Sequence, residues 1–473
     1  MRLYIVLLLA LACFFAKAQR SAKSLSCHFL KDTGTASAET SYSAVELGDG
    51  SIYVTGVQNN GPLGSDDVAL LKFDACGNML WIKYYGDTLA NDAFYINKTA
   101  DGRLLIAGQT GTPHNGSDAF LYLLDSSGVV LWQKLYGDSL DQSLKYVEQT
   151  ADKGYVFCGY TSDAYGSNDS YVVKTDSAGQ KQWQLAVGGP SVEYADMVHE
   201  LPDGNFLFTG DTKSYGSGAT DVELTKCDKN GNIIWDKYYG DHLNNGCQGI
   251  YLLSNGNYLS YGETEVPNSV AFDFFIEMID TAGNSISRHA FGGAAADALF
   301  SLAELPGMEL ICTGYSRSFN GFQAYDIVLF KTDTAGNIRW LKNIYNPGLD
   351  IGYKLIPSLY GDYIITGLYA ANNVNYFLTR TDTVANTNAG VAATAVKNDI
   401  NLYPNPAANE IILGGNTIKN VSFFNANGQK IKEFAASGNP VKIYISDLPN
   451  GFYFLQITGI GGEKSVKKLC VNH

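Results

Sequence analysis

Apolar residues along this chain come in short runs, each broken by a glycine or an aspartate. Seven runs close on glycine: "SIYVTG", "RLLIAG", "GYVFCG", "NFLFTG", "NYLSYG", "ELICTG" and "DYIITG", ending at Gly56, Gly108, Gly159, Gly210, Gly262, Gly314 and Gly367. A second marker, an aspartate opening a polar turn, recurs at Asp74, Asp125, Asp176, Asp228, Asp280, Asp333 and Asp382, with a period of 49 to 53 residues. Two independent markers with seven copies each define one repeat.

Every copy holds four strand-sized runs. In the second they are "DAFYINKTA", "RLLIAGQT", "DAFLYLLD" and "VVLWQKLYG". Asp-Gly joins the first two, a tight-hairpin signal. "DxxG" joins the last two, a type I turn with glycine in the left-handed position. A four-stranded meander has two apolar faces and hides them only by stacking against copies of itself. The pattern predicts an all-β, seven-bladed β-propeller of four-stranded blades over residues 19–382. The seventh copy has a third strand, "YFLTRTD" (376–382), but no fourth, whereas "SCHFLKDTG" (26–34) precedes the first copy without partners. The amino-terminal strand is therefore expected to complete the last blade and close the ring.

All five tryptophans, Trp81, Trp132, Trp183, Trp235 and Trp340, share one slot on the fourth strand, and Ser287 holds it in the fifth copy. A replaceable large aromatic suits the wedge between outer strands, burying on the order of 200 Å². Lys72, Lys174, Lys226, Lys331 and Arg380 stand two residues before a turn aspartate, a spacing that puts both on one strand face and predicts ion pairs within each blade.

Counting back 16 to 18 residues from each marker glycine reaches Glu39, Asp92, Asp141, Glu193, Asn245, Asp297 and Asp350. First strands line the axis of a propeller, so six carboxylates would ring one mouth and offer oxygen ligands to Ca²⁺. The plainer role, which the repetition favours, is to cap the turn entering each strand. No other metal or cofactor is indicated.

Composition narrows the class. Glycine (50), tyrosine (31) and phenylalanine (23) are abundant and charged residues make up 17%, as turn-rich β structure requires. A net charge of −14 leaves no basic stripe for nucleic acid. Arg2, the apolar "LYIVLLLALACFFA" and Ala16-Lys17-Ala18 read as an export signal over residues 1–18. No other run approaches the ~18 apolar residues of a membrane helix, so the mature chain is expected to lack a transmembrane span. Without Cys13, seven cysteines remain with no CxxC and no regular pairing pattern, an odd number that leaves at least one thiol alone. Catalytic signatures are thin. The six histidines are scattered, no HExxH or GxSxG occurs, and the "DTG" at 32–34 has no second copy for an aspartic dyad. No catalytic residue is assigned.

After an Ala/Thr/Asn-rich linker (383–397) a different pattern begins, with turns at Asn427-Gly428 and Asn450-Gly451, and reads as a small Ig-like β-sandwich over 398–473. Tyr403-Pro404-Asn405-Pro406, "NANGQ" (425–429), "LPNGFYFLQI" (448–457, with Gly451) and the basic end Lys467-Lys468 occur in order. With these motifs the segment resembles the type A carboxy-terminal sorting domain of the type IX secretion system of Bacteroidota. The resemblance implies Sec export, translocation across the outer membrane by the type IX machinery, and then anchoring to surface lipopolysaccharide or release. The propeller more loosely resembles bacterial seven-bladed repeat proteins, a likeness of fold.

The expected product is a secreted or surface-attached propeller that binds a glycan or protein through one ring face. The alternative is a carbohydrate-active enzyme, a lyase or glycosidase, on the same scaffold. Clustered carboxylates, tyrosine or histidine in one deep axial pocket would point to the enzyme, and a shallow face with a contiguous aromatic patch to binding.

Overall fold

The computed structural model describes residues 27–34, 38–113, 116–138, 140–162, 167–267, 271–319, 324–344, 348–370, 374–383, 401–405, 407–414, 418–425, 429–435, 440–459 and 464–473. The export signal, Cys13, most of the linker, Pro406 and Gly428 lie outside them. The chain divides into two compact units, 1–389 and 390–473.

The first unit is built of seven antiparallel four-stranded sheets. Six blades span 39–85, 91–136, 142–187, 193–239, 245–291 and 297–344, with strands paired in chain order. The seventh joins Leu349–Pro357, Tyr363–Ala370 and Val374–Thr381 to the amino-terminal strand Phe29–Thr33. Seven apolar clusters each bridge two successive blades, and the last packs Ile364 and Leu378 of blade 7 against Val54 and Leu71 of blade 1. The ring is closed.

The turns form as their residues dictate. In each DxxG turn from Gly77 to Gly336 the glycine has φ between 72° and 84°, a conformation that costs other L residues roughly 1–2 kcal/mol. The turn aspartate accepts hydrogen bonds from the backbone two and four residues on, as Asp125 does from Ser127 (2.8 Å) and Val129 (3.0 Å). The absent Cβ has a second use. A methyl group on Gly179 would sit 3.1 Å from the Trp132 ring and 3.2 Å from the Tyr136 hydroxyl of the preceding blade. Trp81 meets Gly128, Trp183 meets Gly231 and Trp235 meets Gly283 in the same way. These four tryptophans are half-buried plates on the next blade's turn. Where Ser287 holds the slot, Phe291 covers Gly336 instead.

The latch strand repeats this packing. Trp81 pairs with Lys72, and at the corresponding register in blade 7 Phe29 pairs with Arg380. Phe29 then covers Gly77 of blade 1. A Cys27–Cys76 disulfide ties the latch to that same turn, a pairing that cysteine spacing did not reveal.

The strand lysines do form ion pairs within their blades, but with a different partner from the turn aspartate. Lys174 pairs with Asp152 (2.8 Å), Lys226 with Asp203 (3.2 Å) and Lys331 with Glu309, all at the hairpin between first and second strands. The turn aspartates are occupied chiefly by their own backbone, and Asp333 also pairs with Arg339 on the fourth strand (3.2 Å). Lys72 instead reaches the Ser126 carbonyl (3.4 Å) and the Tyr53 ring. Buried Arg380 bridges the seam, binding Asp362 (3.2 Å) in blade 7 and Glu46 (2.7 Å) in blade 1.

In the second unit a three-stranded and a four-stranded sheet share one core that includes Ile411, Leu413, Ile443, Val421, Phe423 and Leu455. Two such sheets face to face are a sandwich.

Candidate functional site

Innermost strands decide what lines the axis, and each carries one β-bulge. The register skips Tyr42, Phe94, Lys145, Asp196, Gln248, Phe300 and Tyr353, one residue per blade. A bulge leaves its extra residue outside the ladder and re-aims the side chain. All seven are half-exposed, while the residue before each is buried. They form a ring of side chains turned to the axis.

The ring has two unlike halves. Phe300, Tyr353, Tyr42 and Phe94, from blades 6, 7, 1 and 2, make a continuous aromatic arc with centroid separations of 5.2, 5.4 and 5.5 Å. Lys145, Asp196 and Gln248, from blades 3 to 5, make a polar wall. Lys145 Nζ lies 2.6 Å from Asp196 Oδ1 and over the Tyr194 ring at 4.9 Å. Gln248 donates to Glu263 on the second strand of its blade (3.3 Å), and Asp211 accepts from the Cys247 N–H (2.6 Å).

The wall is electrostatically loaded. Burial, then the Asp196 charge, pushes the Asp211 carboxyl well above the usual range. Burial pushes Glu263 up to about 7, opposed by Gln248 and helped by Asp196. Burial disfavours the Lys145 ammonium, but Asp196 outweighs it and keeps the lysine charged. Below this level Lys354 donates to the Tyr95 hydroxyl (2.7 Å), and Tyr95 packs on Tyr146 at 4.5 Å.

The residues marked by counting back from the glycines do not share one ring. Glu39, Glu193, Asp297 and Asp350 occupy equivalent register positions, but the equivalents in blades 2, 3 and 5 are Asn91, Gln142 and Asn245. Asp92 stands one residue further in, bonded by Gln109 (2.9 Å), and Asp141 one residue earlier, accepting from the Ser117 N–H (2.8 Å). Two of the aligned side chains, those of Glu193 and Asp297, bind the loops entering their blades. Glu193 accepts from Gly189 (2.8 Å) and Ser214 (3.0 Å), and Asp297 from Gly293 (2.9 Å). Among the described residues no group of three or more His, Cys, Asp or Glu side chains is arranged to hold a metal.

The bulge ring was missed although a signal existed. Each member stands 14 residues before its marker glycine (42 and 56, 94 and 108, through 353 and 367). Its chemistry varies from blade to blade, so a search for repeated residue types passes over it.

In the second unit Asn405 binds the last strand twice, donating to the Lys468 carbonyl (2.8 Å) and accepting from the Cys470 N–H (2.8 Å). Tyr403 ends the first strand, Pro404 is exposed, Gly451 opens the strand to Gly459, and Lys468 lies over the Phe452 ring at 4.1 Å beside Lys467.

Comparison with known proteins gives this unit its class. Residues 401–472 match the family described as a secretion system C-terminal sorting domain. The chain therefore carries the address of the type IX secretion system, and its destination is the cell surface or the medium. No curated protein matches the chain. Among solved structures it is similar to the extracellular domain of BT4673 from B. thetaiotaomicron (12% identity, TM-score 0.43, covering 94% of this chain and 58% of that one). It is also similar to a protein of unknown function from Dyadobacter fermentans (11%, TM-score 0.44, 74% and 98%). A third is PorZ, a surface component of the type IX secretion system of Porphyromonas gingivalis (8%, TM-score 0.28, 94% and 100%). The chain spans little more than half the length of the first of these.

Proposed function

We propose that the exported propeller is a binding module that holds a glycan at the axial ring of bulge residues. The observation that carries this reading is the division of that ring into an aromatic arc and a hydrogen-bonding wall. A sugar ring presents apolar C–H faces and polar edges. The first stack on aromatic planes, and the second need amide and carboxyl partners of the kind supplied by Gln248, Asp196 and Glu263. Calcium held by the loop carboxylates and anchoring of the mature protein to lipopolysaccharide remain separate proposals, each resting on residue type or on resemblance.

A glycan array probed with the secreted protein tests the reading. Selective binding is expected, with a loss of about tenfold or more when Tyr42 and Tyr353 are both changed to alanine. Binding unaffected by that change would place the ligand elsewhere. One observation favours an enzyme: Glu263, near 7, shares a wall with the paired carboxylate Asp196, and glycoside hydrolysis uses two carboxyls in different protonation states. Release of new reducing ends from an array-positive glycan, abolished by Glu263→Gln, would establish that reading in place of simple binding.

A further inference from the structure

We propose that the ligand of the axial ring is a glycan bearing a protonated amine, an amino sugar whose ammonium reaches the Asp211 and Glu263 wall while its ring lies against Tyr42 and Tyr353. This rests on the glycan reading above and adds the charge of the ligand.

The inference starts from a charge imbalance. The polar wall holds three carboxyls, Asp196, Asp211 and Glu263, and one base, Lys145, which is committed to Asp196 at 2.6 Å. Among the described residues no ion pair reaches Asp211 or Glu263. Their hydrogen-bond donors are neutral: the Cys247 N–H for Asp211 and the Gln248 amide for Glu263. The second oxygen of Asp196, Oδ2, is buried and accepts no hydrogen bond among the described residues. Buried carboxyls without a cation are costly, and a site that keeps them gains most from a ligand that supplies one.

The aromatic arc points the same way. The faces of tyrosine and phenylalanine rings carry negative potential and attract cations as well as sugar C–H groups. An anionic saccharide would face the carboxyls with one neutralised lysine to receive it. A neutral one would leave Asp211 and Glu263 protonated and gain nothing from them. An ammonium meets both halves of the ring at once.

Burial holds the Glu263 carboxyl near 7 and raises that of Asp211 well above its ordinary value, so both hold protons that a cation would displace. The titratable groups facing them are Lys145, Asp196, Cys247, Tyr194 and Tyr315; Lys145 is held by Asp196, and Arg317, which reaches Tyr315, lies over the Tyr325 ring at 5.1 Å. Binding an ammonium stabilises the ionised carboxylates, so it releases protons at neutral pH.

The experiment is calorimetric titration of the secreted full chain with a glucosamine tetrasaccharide and with its N-acetylated counterpart, in two buffers of different ionisation enthalpy. The amine form is expected to bind about tenfold tighter or better, with net proton release. Glu263→Gln and Asp211→Asn, each checked for an unchanged melting temperature, should each remove that preference, bringing the amine form level with the acetylated one. If one variant fails to fold, the other and the buffer dependence still decide. Equal or tighter binding of the acetylated form, or a preference that survives both variants, overturns the ammonium and leaves the glycan reading standing. Binding of tri-arginine with the same dependence on Glu263, and of neither saccharide, overturns the glycan reading and this ligand with it. No binding of any probe overturns both.

Discussion

A single carboxyl shows how blade packing controls chemistry. Glu223 lies between blades 3 and 4, where it accepts a hydrogen bond from Ser170 Oγ (2.7 Å). Burial pushes it up to about 8, with Asp236 and Glu193 adding to the rise and Ser170 opposing it. Below its ordinary value of 4.5 the folded and unfolded chains both carry the proton. Between there and about 8 the folded chain retains a proton that the unfolded chain releases, so stability falls as pH rises through that window. The propeller's melting temperature is therefore expected to drop between about pH 5 and pH 8, by an amount worth a few kcal/mol. Glu223→Gln should flatten much of that slope in a thermal-shift series. A slope unchanged in the variant would mean that the carboxyl is already ionised in the fold.

Among elements, the latch strand carries the greatest load for its size. Phe29–Thr33 has five residues, yet it supplies the outer edge of blade 7 and the aromatic cover for Gly77, and Cys27, two residues before it, supplies one half of the Cys27–Cys76 disulfide. The cross-link closes a loop of 49 residues, and a loop of that size is worth about 2–4 kcal/mol. Replacing Cys27 and Cys76 together by serine is expected to lower the urea midpoint of the propeller transition accordingly. Reductant should shift the parent chain to the same midpoint and leave the double variant unmoved. The five other described cysteines are unpaired, and four of them are buried, so the latch bond is the one that reductant reaches.

At the scale of the whole molecule, the sandwich carries the export address and the ring carries the proposed binding site. The sorting domain's Asn405 clamps the first segment of the sandwich to its last strand at Lys468 and Cys470. Deleting residues 403–406 from a reporter fused to residues 398–473 is expected to abolish its appearance in the medium and leave it in the periplasm. Fractionation followed by immunoblotting measures this. Unchanged secretion would detach the address from the motif.

The repeat, the blade number, the left-handed turn glycines and the strand borrowed from the amino terminus were all legible in the chain, because each is a local pattern repeated at one period. The sorting domain was legible for a related reason: its motifs are contiguous. What the chain alone could not show are the properties made by neighbours in space. Cys27 and Cys76 meet because the ring brings its two ends together, and Phe29 inherits the tryptophan slot because register, not spacing, places it opposite Arg380. Likewise, the axial site gathers one bulged residue from each of seven blades. A bulge depends on strand pairing, and aromatic and charged halves exist only once distant strands stand side by side. Local sequence therefore determined the blades, and tertiary closure decided what they enclose.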